Sequence, residues 1–496
     1  MHDLAIIGAG PAGLAAAIAA ADNGLDVVIV DEQQRAGGQI FRQPPSEFSE
    51  PRRPFAAGYP WARQLIEDAE SHPGIHWITG ATAFGVLRDE TAEPLSVAVS
   101  VAGTSRQLPA RRVLVATGAY DLPVAFPGWT LPGVMMAGAV QGFIKSQRFL
   151  VAERLVLAGS HPLLLVVADQ LLAAGADVAE VAFARGLPTV SEAWGSLGAV
   201  PGHLGLLAES AAAVVRLKRA GVRISTKTIV TSAASSGSGA GIDRVSAVEL
   251  APVDRDWRVI GPSRRVETEA LVLGYGFQPS TELARQLGCK LDWSSPKGGW
   301  VVRHDDRMAT TSRGIYVAGE PTGVAGAEQS RAEGTLAGLC IAADLKPSSI
   351  DNKKMDAAVT SIRSTRRFSR VVERIFMPNR RGLTALADAG TTVCRCELVT
   401  RGDIDSVLEQ NAFIDTVSAT KLECRSGMGP CQGRYCEMTV AGLVSEQRSR
   451  PIDQVGRFSA HVPVKPVPLS AYAALALTDG GDAAGCEQCS AAESES

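Results

Sequence analysis

The first thirty-one residues constrain the fold more than any other part of the chain. An apolar strand, Leu4 to Ile7, leads into a G-x-G-x-x-G turn, and an alanine-rich helix and a second apolar strand, Val27 to Val30, follow. Gly8 permits a tight turn, Gly10 leaves room for a pyrophosphate, and Gly13 lets the helix pack closely on the strand. The order of these elements predicts a βαβ unit.

An acid completes this pattern. Asp31 lies eighteen positions after Gly13, where its carboxylate can accept a hydrogen bond from a ribose hydroxyl. A pyrophosphate would bind to the free N–H groups at the helix N-terminus, where the helix dipole favours negative charge. A glycine-rich turn in an ordinary α/β domain is the alternative. Because strand, glycines, helix, strand and acid occur in register, we expect a dinucleotide-binding unit.

Size and composition narrow the class of protein. The 496 residues suffice for about three domains. The chain is 46% hydrophobic and has a formal net charge of −3, which gives no reason to expect nucleic acid or an anionic membrane as a partner. No apolar run reaches the roughly 20 residues that span a bilayer, and the first strand begins too close to Met1 for a cleaved signal peptide. We therefore expect a cytoplasmic protein without a transmembrane segment.

A second strand-helix-strand unit is degenerate. Its predicted elements are a strand from Arg154, a helix from Leu165 to Ala174 and a strand from Val178 to Phe183. Gly159 keeps the first glycine, but His161 and Leu164 replace the other two, and Ala182 stands where the ribose acid is expected. These side chains would obstruct the approach of a pyrophosphate. We expect a nucleotide-binding fold that no longer binds NAD(P)H; Arg185 could instead hold another phosphate or simply be solvated.

Cysteines mark the C-terminal part of the chain. Seven of the nine occur after residue 390, and thirty-four residues separate Cys394-Arg-Cys396 from Cys431-Gln-Gly-Arg-Tyr-Cys436. Two pairs of thiolates on two loops can bind a [2Fe–2S] cluster or a tetrahedral zinc ion, and four unrelated thiols are the third alternative. The C-x-C start favours iron–sulfur over a zinc ribbon, which usually has C-x2-C pairs.

Three of the seven C-terminal cysteines lie outside this pattern. Cys424 is more consistent with packing than with ligation, and Cys486 and Cys489 have no second pair to complete a site. Upstream, arginines at helical spacing between residues 363 and 374 predict a helix that is solvated or faces a partner.

The order of motifs resembles FAD-dependent oxidoreductases of the pyridine-nucleotide-disulfide-reductase type. A strand ending in Ala116-Thr-Gly118 and a later strand ending in Gly319-Glu320 are typical of these proteins, which usually have aspartate at the position of Glu320. The resemblance implies an α/β flavoprotein with two glutathione-reductase-like dinucleotide-binding domains. It also assigns a set of FAD-binding residues: Gly8, Gly10, Pro11, Ala12, Gly13, Asp31, Glu32, Gly38, Gln39, Arg42, Thr117, Gly118, Gly319 and Glu320.

The cysteine segment resembles bacterioferritin-associated-ferredoxin-like [2Fe–2S] domains, which are small and α-rich. Four residues lie between Cys431 and Cys436, where the small ferredoxin has two. This wider spacing resembles that of the domain fused to FAD domains in the larger subunits of opine (octopine or nopaline) oxidases, hydrogen cyanide synthase and proline or hydroxyproline dehydrogenases. This resemblance implies cluster ligation by Cys394, Cys396, Cys431 and Cys436.

The same resemblance implies a division of labour. A smaller, amine-oxidase-like FAD subunit would oxidise the C–N bond of an opine or amino acid, and this chain would pass the electrons to a downstream acceptor, with an additional FMN between the subunits. The catalytic residues would then lie on the partner. Two other functions remain open: a self-sufficient NAD(P)H-dependent reductase, and a non-enzymatic ferredoxin-like adaptor.

These inferences predict six segments along the chain. They are an FAD-binding domain in two parts, residues 1–117 and 270–345, a degenerate NAD(P)-binding-like domain at 118–269, a basic linker at 346–388, a [2Fe–2S] domain at 389–450 and a C-terminal tail at 451–496.

Overall fold

The fold is described from a computed structural model of the chain. It describes residues 1–45, 47–48, 59–88, 94–186, 189, 192, 204–237, 243–347 and 352–477. The strands are β1 (His2–Ile7), β2 (Val27–Val30), β3 (Ile75–Ile78), β4 (Ala81–Leu87), β5 (Leu95–Val101), β6 (Thr104–Val115), β7 (Ala119–Asp121), β8 (Val134–Met136), β9 (Arg154–Gly159), β10 (Asp177–Phe183), β11 (Arg223–Thr226), β12 (Thr228–Ser235), β13 (Val245–Pro252), β14 (Arg264–Glu267), β15 (Ala270–Gly274), β16 (Phe277–Pro279), β17 (Leu291–Ser294), β18 (Gly299–Val302), β19 (Ile315–Val317), β20 (Thr392–Cys394) and β21 (Val399–Thr400).

The helices follow the same order. They are α1 (Pro11–Ala21), α2 (Ala62–Ser71), α3 (Ala137–Gly142), α4 (Leu163–Ala173), α5 (Leu204–Arg219), α6 (Glu282–Gln286), α7 (Ala327–Leu345), α8 (Asn352–Phe376), α9 (Arg380–Thr384), α10 (Arg401–Gln410), α11 (Val417–Cys424), α12 (Glu437–Arg448), α13 (Ile452–Val455) and α14 (Leu469–Leu477). A π-helical turn, Phe143–Gln147, follows α3, and a 3-10 turn, Glu320–Thr322, precedes α7. No helix in the described ranges is long and apolar enough to cross a membrane.

The first sheet carries the predicted βαβ unit. Its strand order is β3-β2-β1-β6-β5-β4, and β19 pairs with β6. Strands β1, β2, β3 and β19 run parallel to their neighbours, whereas β4, β5 and the first half of β6 form an antiparallel meander. Strand β2 is buried along its whole length, as expected for a parallel strand with both faces covered.

Helices α1 and α7 pack against each other at very short distance. A Cβ atom on Gly334 of α7 would lie 2.1 Å from the backbone oxygen of Ala12, and one on Gly338 would lie 2.4 Å from that of Ala16. Both helices are alanine-rich and largely buried. The absence of side chains at these two positions of α7 therefore sets the distance between the two helices.

The second sheet has the order β11-β10-β9-β15-β8 and is parallel. Strand β15 (Ala270–Gly274), predicted to return the chain to the first domain, lies between β9 and β8 in this sheet. The return occurs after it, where β16 pairs with β7 next to Gly118. An apolar strand of this kind fits either sheet, so only pairing decides its place. A separate antiparallel sheet, β12-β13-β14, shares one apolar cluster with residues of this sheet.

A β-bulge changes the predicted match between the two βαβ units. The pairing of β9 with β10 shifts between Val178 and Glu180, so that Gly159 lies opposite Phe183 rather than Ala182. Sequence counting misses this because a bulge adds one residue to one strand without a sequence signal. The conclusion about the missing acid is unchanged, because neither residue carries a carboxylate.

The predicted basic linker contains the long helix α8. Ala358, Ile362, Thr365 and Ser369 form its buried face, which packs on α7, and Ser369 donates a hydrogen bond to the backbone oxygen of Ala325 (2.9 Å). The arginines occupy the remaining faces, as helical spacing predicts.

The cysteine-bearing region continues the core of the second sheet. The β20–β21 hairpin and helices α10, α11 and α12 share one apolar cluster with residues of that sheet. The indole N–H of Trp129 donates to the backbone oxygen of Thr392 (2.6 Å) across this boundary. Part of the predicted tail is also packed: Val464 N–H donates to Phe84 O (2.7 Å), and Leu475 lies against Phe84.

We predict that Gly334→Ala destabilises the chain by about 1–3 kcal/mol, because a methyl group there overpacks the α1–α7 contact. Urea unfolding followed by circular dichroism measures this change. Gly205→Ala in α5 is the matched control, since nothing lies within 4 Å of a Cβ built there. Equal stability of the two variants would contradict the proposed role of this contact.

Candidate functional site

The β1–α1 turn has the shape that the motif predicts. Gly8 adopts φ +110°, and a Cβ atom there would lie 2.4 Å from Ala116 O. A Cβ on Gly13 would lie 1.9 Å from Gly8 O. Gly10 is the N-cap residue of α1 and Pro11 is its first helical residue, so free N–H groups of the first turn are available to an anion.

Asp31 lies directly behind this turn. Its carboxylate accepts hydrogen bonds from Ala9 N–H (2.6 Å) and Gln33 N–H (2.7 Å). Burial raises the pKa of Asp31, and the two backbone bonds oppose this shift. Each carboxylate oxygen keeps a further lone pair for a ribose hydroxyl. The neighbouring Glu32 is committed elsewhere, in an ion pair with Lys465 (2.5 Å).

A second glycine turn rests on the first. Gly38 adopts φ +61°, and a Cβ atom there would lie 2.8 Å from Gly10 Cα. Gln39 Oε1 accepts a hydrogen bond from Arg42 Nη2 (2.7 Å), and Arg42 Nε is buried without a partner among the described residues. The structure therefore brings the predicted residues 8–13 and 38–42 together.

Thr117 and Gly118 lie at the same edge of the sheet. The hydroxyl of Thr117 donates to Ser280 O (2.8 Å), and Ser280 N–H donates to Gly118 O (3.0 Å). These bonds join the end of β6 to the segment in which the chain returns from the second sheet. Gly118 has open space where a Cβ would be.

Gly319 and Glu320 follow β19 and face α1. Gly319 adopts φ +80°, and a Cβ there would lie 2.8 Å from Ala12 Cβ. The Glu320 carboxylate accepts hydrogen bonds from Gly326 N–H (2.9 Å) and Ala325 N–H (3.4 Å) just before α7. Burial raises its pKa to about 7, and the nearby Glu333 carboxylate acts in the same direction. Glu320 thus supports the loop that leads into α7.

Glu333 is a site residue that sequence reasoning missed. It is 1% exposed and accepts hydrogen bonds from Gly319 N–H (3.0 Å) and the Thr322 hydroxyl (2.8 Å). Gln329 donates to it as well (2.7 Å). The sequence gives little signal for this role, because α7 also carries Glu328, Arg331 and Asp344, and charged residues of this kind are typical of a solvated helix face. Its burial near α1 is a tertiary effect.

These residues fit an FAD molecule. Gly8, Gly10, Gly13 and Gly38 form a cradle that side chains would fill, and it opens at a helix N-terminus beside a carboxylate. Bound FAD accepts a hydride equivalent and can release electrons singly. The protein residues supply anion-binding N–H groups, the ribose acid and close backbone approach.

The second βαβ turn is closed by side chains. Leu164 is fully buried, and its methyl groups lie 2.9 and 2.7 Å from Cβ positions built on Gly159 and Gly274. His161 Nδ1 accepts a hydrogen bond from Leu163 N–H (3.2 Å) at the start of α4, and its ring packs edge-on against Phe277. Burial lowers the pKa of His161 to about 4, so the imidazole is neutral at pH 7. Leu164 and His161 therefore pack against protein atoms at the two positions where the first turn has glycines.

Arg185 at the end of this unit is paired. Its guanidinium forms an ion pair with Glu192 (3.2 Å) and lies 5.6 Å from the centre of the Phe376 ring.

The four cysteines of the two loops interact in two pairs. Cys436 donates a hydrogen bond to Cys394, which, together with Gly427 N–H (3.4 Å to Sγ), lowers the pKa of Cys394 to about 5. The same bond and burial raise the pKa of Cys436. Cys396 interacts with Cys431, and burial raises the pKa of Cys396. A Cβ on Gly429 would lie 2.3 Å from Cys396 Cβ, so the second loop packs tightly on the first.

The two loops contain four free thiols, which are the type of donor that an iron–sulfur cluster requires. All four thiols are free, and a backbone N–H already points at one sulfur, as in protein sites that tune such clusters. Within the described part of the chain, no group of three or more His, Cys, Asp or Glu side chains is placed to hold a metal ion. Cys424 bonds to Thr420 O and Ser426 Oγ instead, and Cys486 and Cys489 lie outside the described residues.

Comparison with known proteins agrees with this geometry. Residues 2–335 match the model of the pyridine nucleotide-disulphide oxidoreductase family. The chain belongs to this family. Residues 392–476 match the sarcosine oxidase A3 domain, which reaches beyond the predicted boundary at 450 into the packed segment 451–477.

Full-length relatives place this family member more narrowly. The chain is 34% identical to an opine oxidase subunit of Agrobacterium tumefaciens (strain Ach5) over 96% of its own length and 92% of the relative. It is 31% identical to the HcnB subunit of hydrogen cyanide synthase from Pseudomonas aeruginosa, covering 94% of this chain and 97% of that one. It is thus an FAD-dependent oxidoreductase of the group that contains these subunits.

Solved structures confirm the fold. L-proline dehydrogenase from P. horikoshii superposes with a TM-score of 0.64 at 20% identity, over 94% of this chain and 78% of that chain. Thioredoxin reductase from T. acidophilum gives a TM-score of 0.50 at 19% identity over 69% of this chain and 98% of that one. The two-domain α/β flavoprotein fold predicted from the sequence is therefore confirmed.

We predict that the stability of the apo chain depends on pH through Glu320. Its folded-state pKa of about 7 lies above the ordinary 4.5. The contribution of Glu320 to the free energy of unfolding is therefore fully present at low pH and is lost as the pH rises through 7. The stability of Glu320→Gln relative to wild type should rise by up to about 3 kcal/mol between pH 4.5 and pH 8. Urea unfolding at several pH values measures this, with the exposed Glu267→Gln as control. A pH-independent difference would refute the assignment.

Proposed function

We propose that this chain is the electron-transferring subunit of a heteromeric oxidoreductase that oxidises the C–N bond of an opine or amino acid. The observation that carries the proposal is the contrast between the two nucleotide turns. The first is open and lined by glycines, whereas Leu164 and His161 fill the second. Electrons from NAD(P)H therefore have no entry site at the second turn, and another donor must supply them.

The names of the relatives support the nature of that donor. The opine oxidase relative, the HcnB relative and the alpha chain of sarcosine oxidase are each named as one subunit of an enzyme, and the first and third are named as oxidases of amine-containing compounds. Oxidation of an amine to an imine releases two electrons and two protons, and water hydrolyses the imine. We infer that a smaller, amine-oxidase-like FAD subunit performs this step and that an FMN lies between the subunits.

The cysteine pocket supplies the outgoing path in this proposal. Cys394, Cys396, Cys431 and Cys436 would hold a [2Fe–2S] cluster, which carries one electron at a time. FAD at the β1–α1 turn and a cluster at the cysteines would convert a two-electron donor into single electrons for a downstream acceptor.

Protein contacts connect the cysteine loops to the segment after β6, whose end lies beside Gly8 of the β1–α1 turn. Arg434 lies between Cys431 and Cys436 and donates to Cys431 O (3.0 Å) and to the Tyr120 hydroxyl (3.2 Å). Tyr120 is two residues after Gly118. A short connection of this kind supports electron transfer between the two sites.

We predict that Cys431→Ser removes the cluster from the chain. Anaerobically purified protein should lose at least half of its iron and its visible absorbance beyond that of flavin, because one of four ligands is lost. Cys424→Ser is the matched control and should keep both. Iron and acid-labile sulfide analysis measures this. Zinc in place of iron, or no metal in wild type, would refute the cluster.

We also predict that reduction of the bound flavin requires the partner. The chain is co-purified with the product of its neighbouring gene, and candidate opines and amino acids are added anaerobically one at a time. Flavin absorbance should bleach with one of these compounds in the complex but not in the isolated chain. Bleaching of the isolated chain by NADPH would instead support a self-sufficient reductase, and a colourless chain would support an adaptor.

A further inference from the structure

Two cations from different parts of the fold meet beside the second glycine turn. Lys145 belongs to the π-helical turn after α3, and its ammonium group donates to the backbone oxygen of Ile40 (3.0 Å). Arg42 follows in the same glycine turn, and its Nη1 atom lies 3.2 Å from a Cβ position built on Gly142. Irregular π-helical turns are frequent at functional sites.

Neither cation has a carboxylate partner among the described residues. Lys145 bonds to a backbone oxygen, and Arg42 bonds to the Gln39 amide while its Nε atom is buried and unpaired. Asp31 acts on Arg42 at longer range, but both its oxygens already accept backbone hydrogen bonds. Burial, with the positive charge of Arg42, lowers the pKa of Lys145 to about 8.

Two partly buried like charges are costly when Asp31, at longer range, is the only described carboxylate that acts on either of them. They indicate that an anion belongs beside them. Since the turn that carries Arg42 rests on Gly10 at the N-terminus of α1, that anion is part of the cofactor bound there.

The FAD cofactor offers two negative groups. Its diphosphate is already matched by the free N–H groups at the start of α1. The other charge arises on reduction: when the neutral oxidised ring takes up two electrons and one proton, it gains one net negative charge. Arg42 and Lys145, which are present in addition to the helix N-terminus, fit the negative charge of the reduced flavin ring.

We propose that Arg42 and Lys145 form an anion site for the reduced flavin ring and thereby raise the reduction potential of the bound FAD. This inference rests on the proposed function only in that FAD binds at the β1–α1 turn. The electrons come from the amine donor in the complex, or from an added reductant in the test.

The test compares Lys145→Met with Lys145→Arg and with Lys290→Met, an exposed lysine that provides the same change of charge. Each isolated chain is reconstituted with FAD and reduced stepwise against a reference dye. Lys145→Met should weaken binding of reduced relative to oxidised flavin at least tenfold, which corresponds to a potential about 30 mV more negative for a two-electron couple. Lys145→Arg should retain most of the wild-type potential, and Lys290→Met all of it.

Two results would overturn the inference. An unchanged potential in Lys145→Met, with full flavin content, would show that the lysine does not act on the reduced ring. An equal loss of affinity for oxidised and reduced FAD would assign the cations to the diphosphate instead. Neither measurement needs the partner subunit or the cluster. A negative result for Lys145 would therefore leave the proposed function intact, whereas a wild-type chain that binds no FAD would contradict the proposed function itself.

Discussion

The rest of the structure depends on how closely α7 approaches α1. Cβ atoms on Gly334 and Gly338 would lie only 2.1 and 2.4 Å from backbone oxygens of α1, so glycine is required at both positions for this approach. Glu320 accepts a hydrogen bond from Gly326 N–H, directly before α7. Within α7, Glu333 accepts a hydrogen bond from Gly319 N–H. One helix contact therefore holds the dinucleotide turn of β1–α1 and the end of β19 against each other.

Charged and polar contacts attach the cysteine pocket to this framework. Arg285, 9% exposed, pairs with Glu437 at the start of α12 (2.9 Å). Gln278 donates to the backbone oxygen of Arg434 (2.8 Å). A buried ion pair gains little net stability over apolar packing. The main effect of the Arg285–Glu437 pair is therefore to orient the loop of Cys431 and Cys436 beside the segment that follows Gly118.

We propose that the second nucleotide-binding fold acts as a structural support. Leu164 fills the space between two strands where a glycine would leave room for a cofactor, and its burial adds to the apolar core of that sheet. The neutral His161 satisfies a helix N-terminus that would otherwise bind phosphate. Leu164 and His161, which stand where a dinucleotide-binding turn has glycines, therefore make contacts within the protein in place of contacts with a ligand.

The sequence by itself determined the βαβ unit, the degenerate second turn and the grouping of cysteines, because each depends on residue types at short, regular spacing. It predicted strand β2 at Val27–Val30 with the bounds that the structure has. Only the tertiary structure decided that β15 belongs to the second sheet, that a bulge moves Phe183 opposite Gly159, and that Glu333, Lys145 and Arg434 reach the site. Strand pairing and contacts between residues distant in the chain leave no periodic signal, so these features follow from packing and not from local pattern.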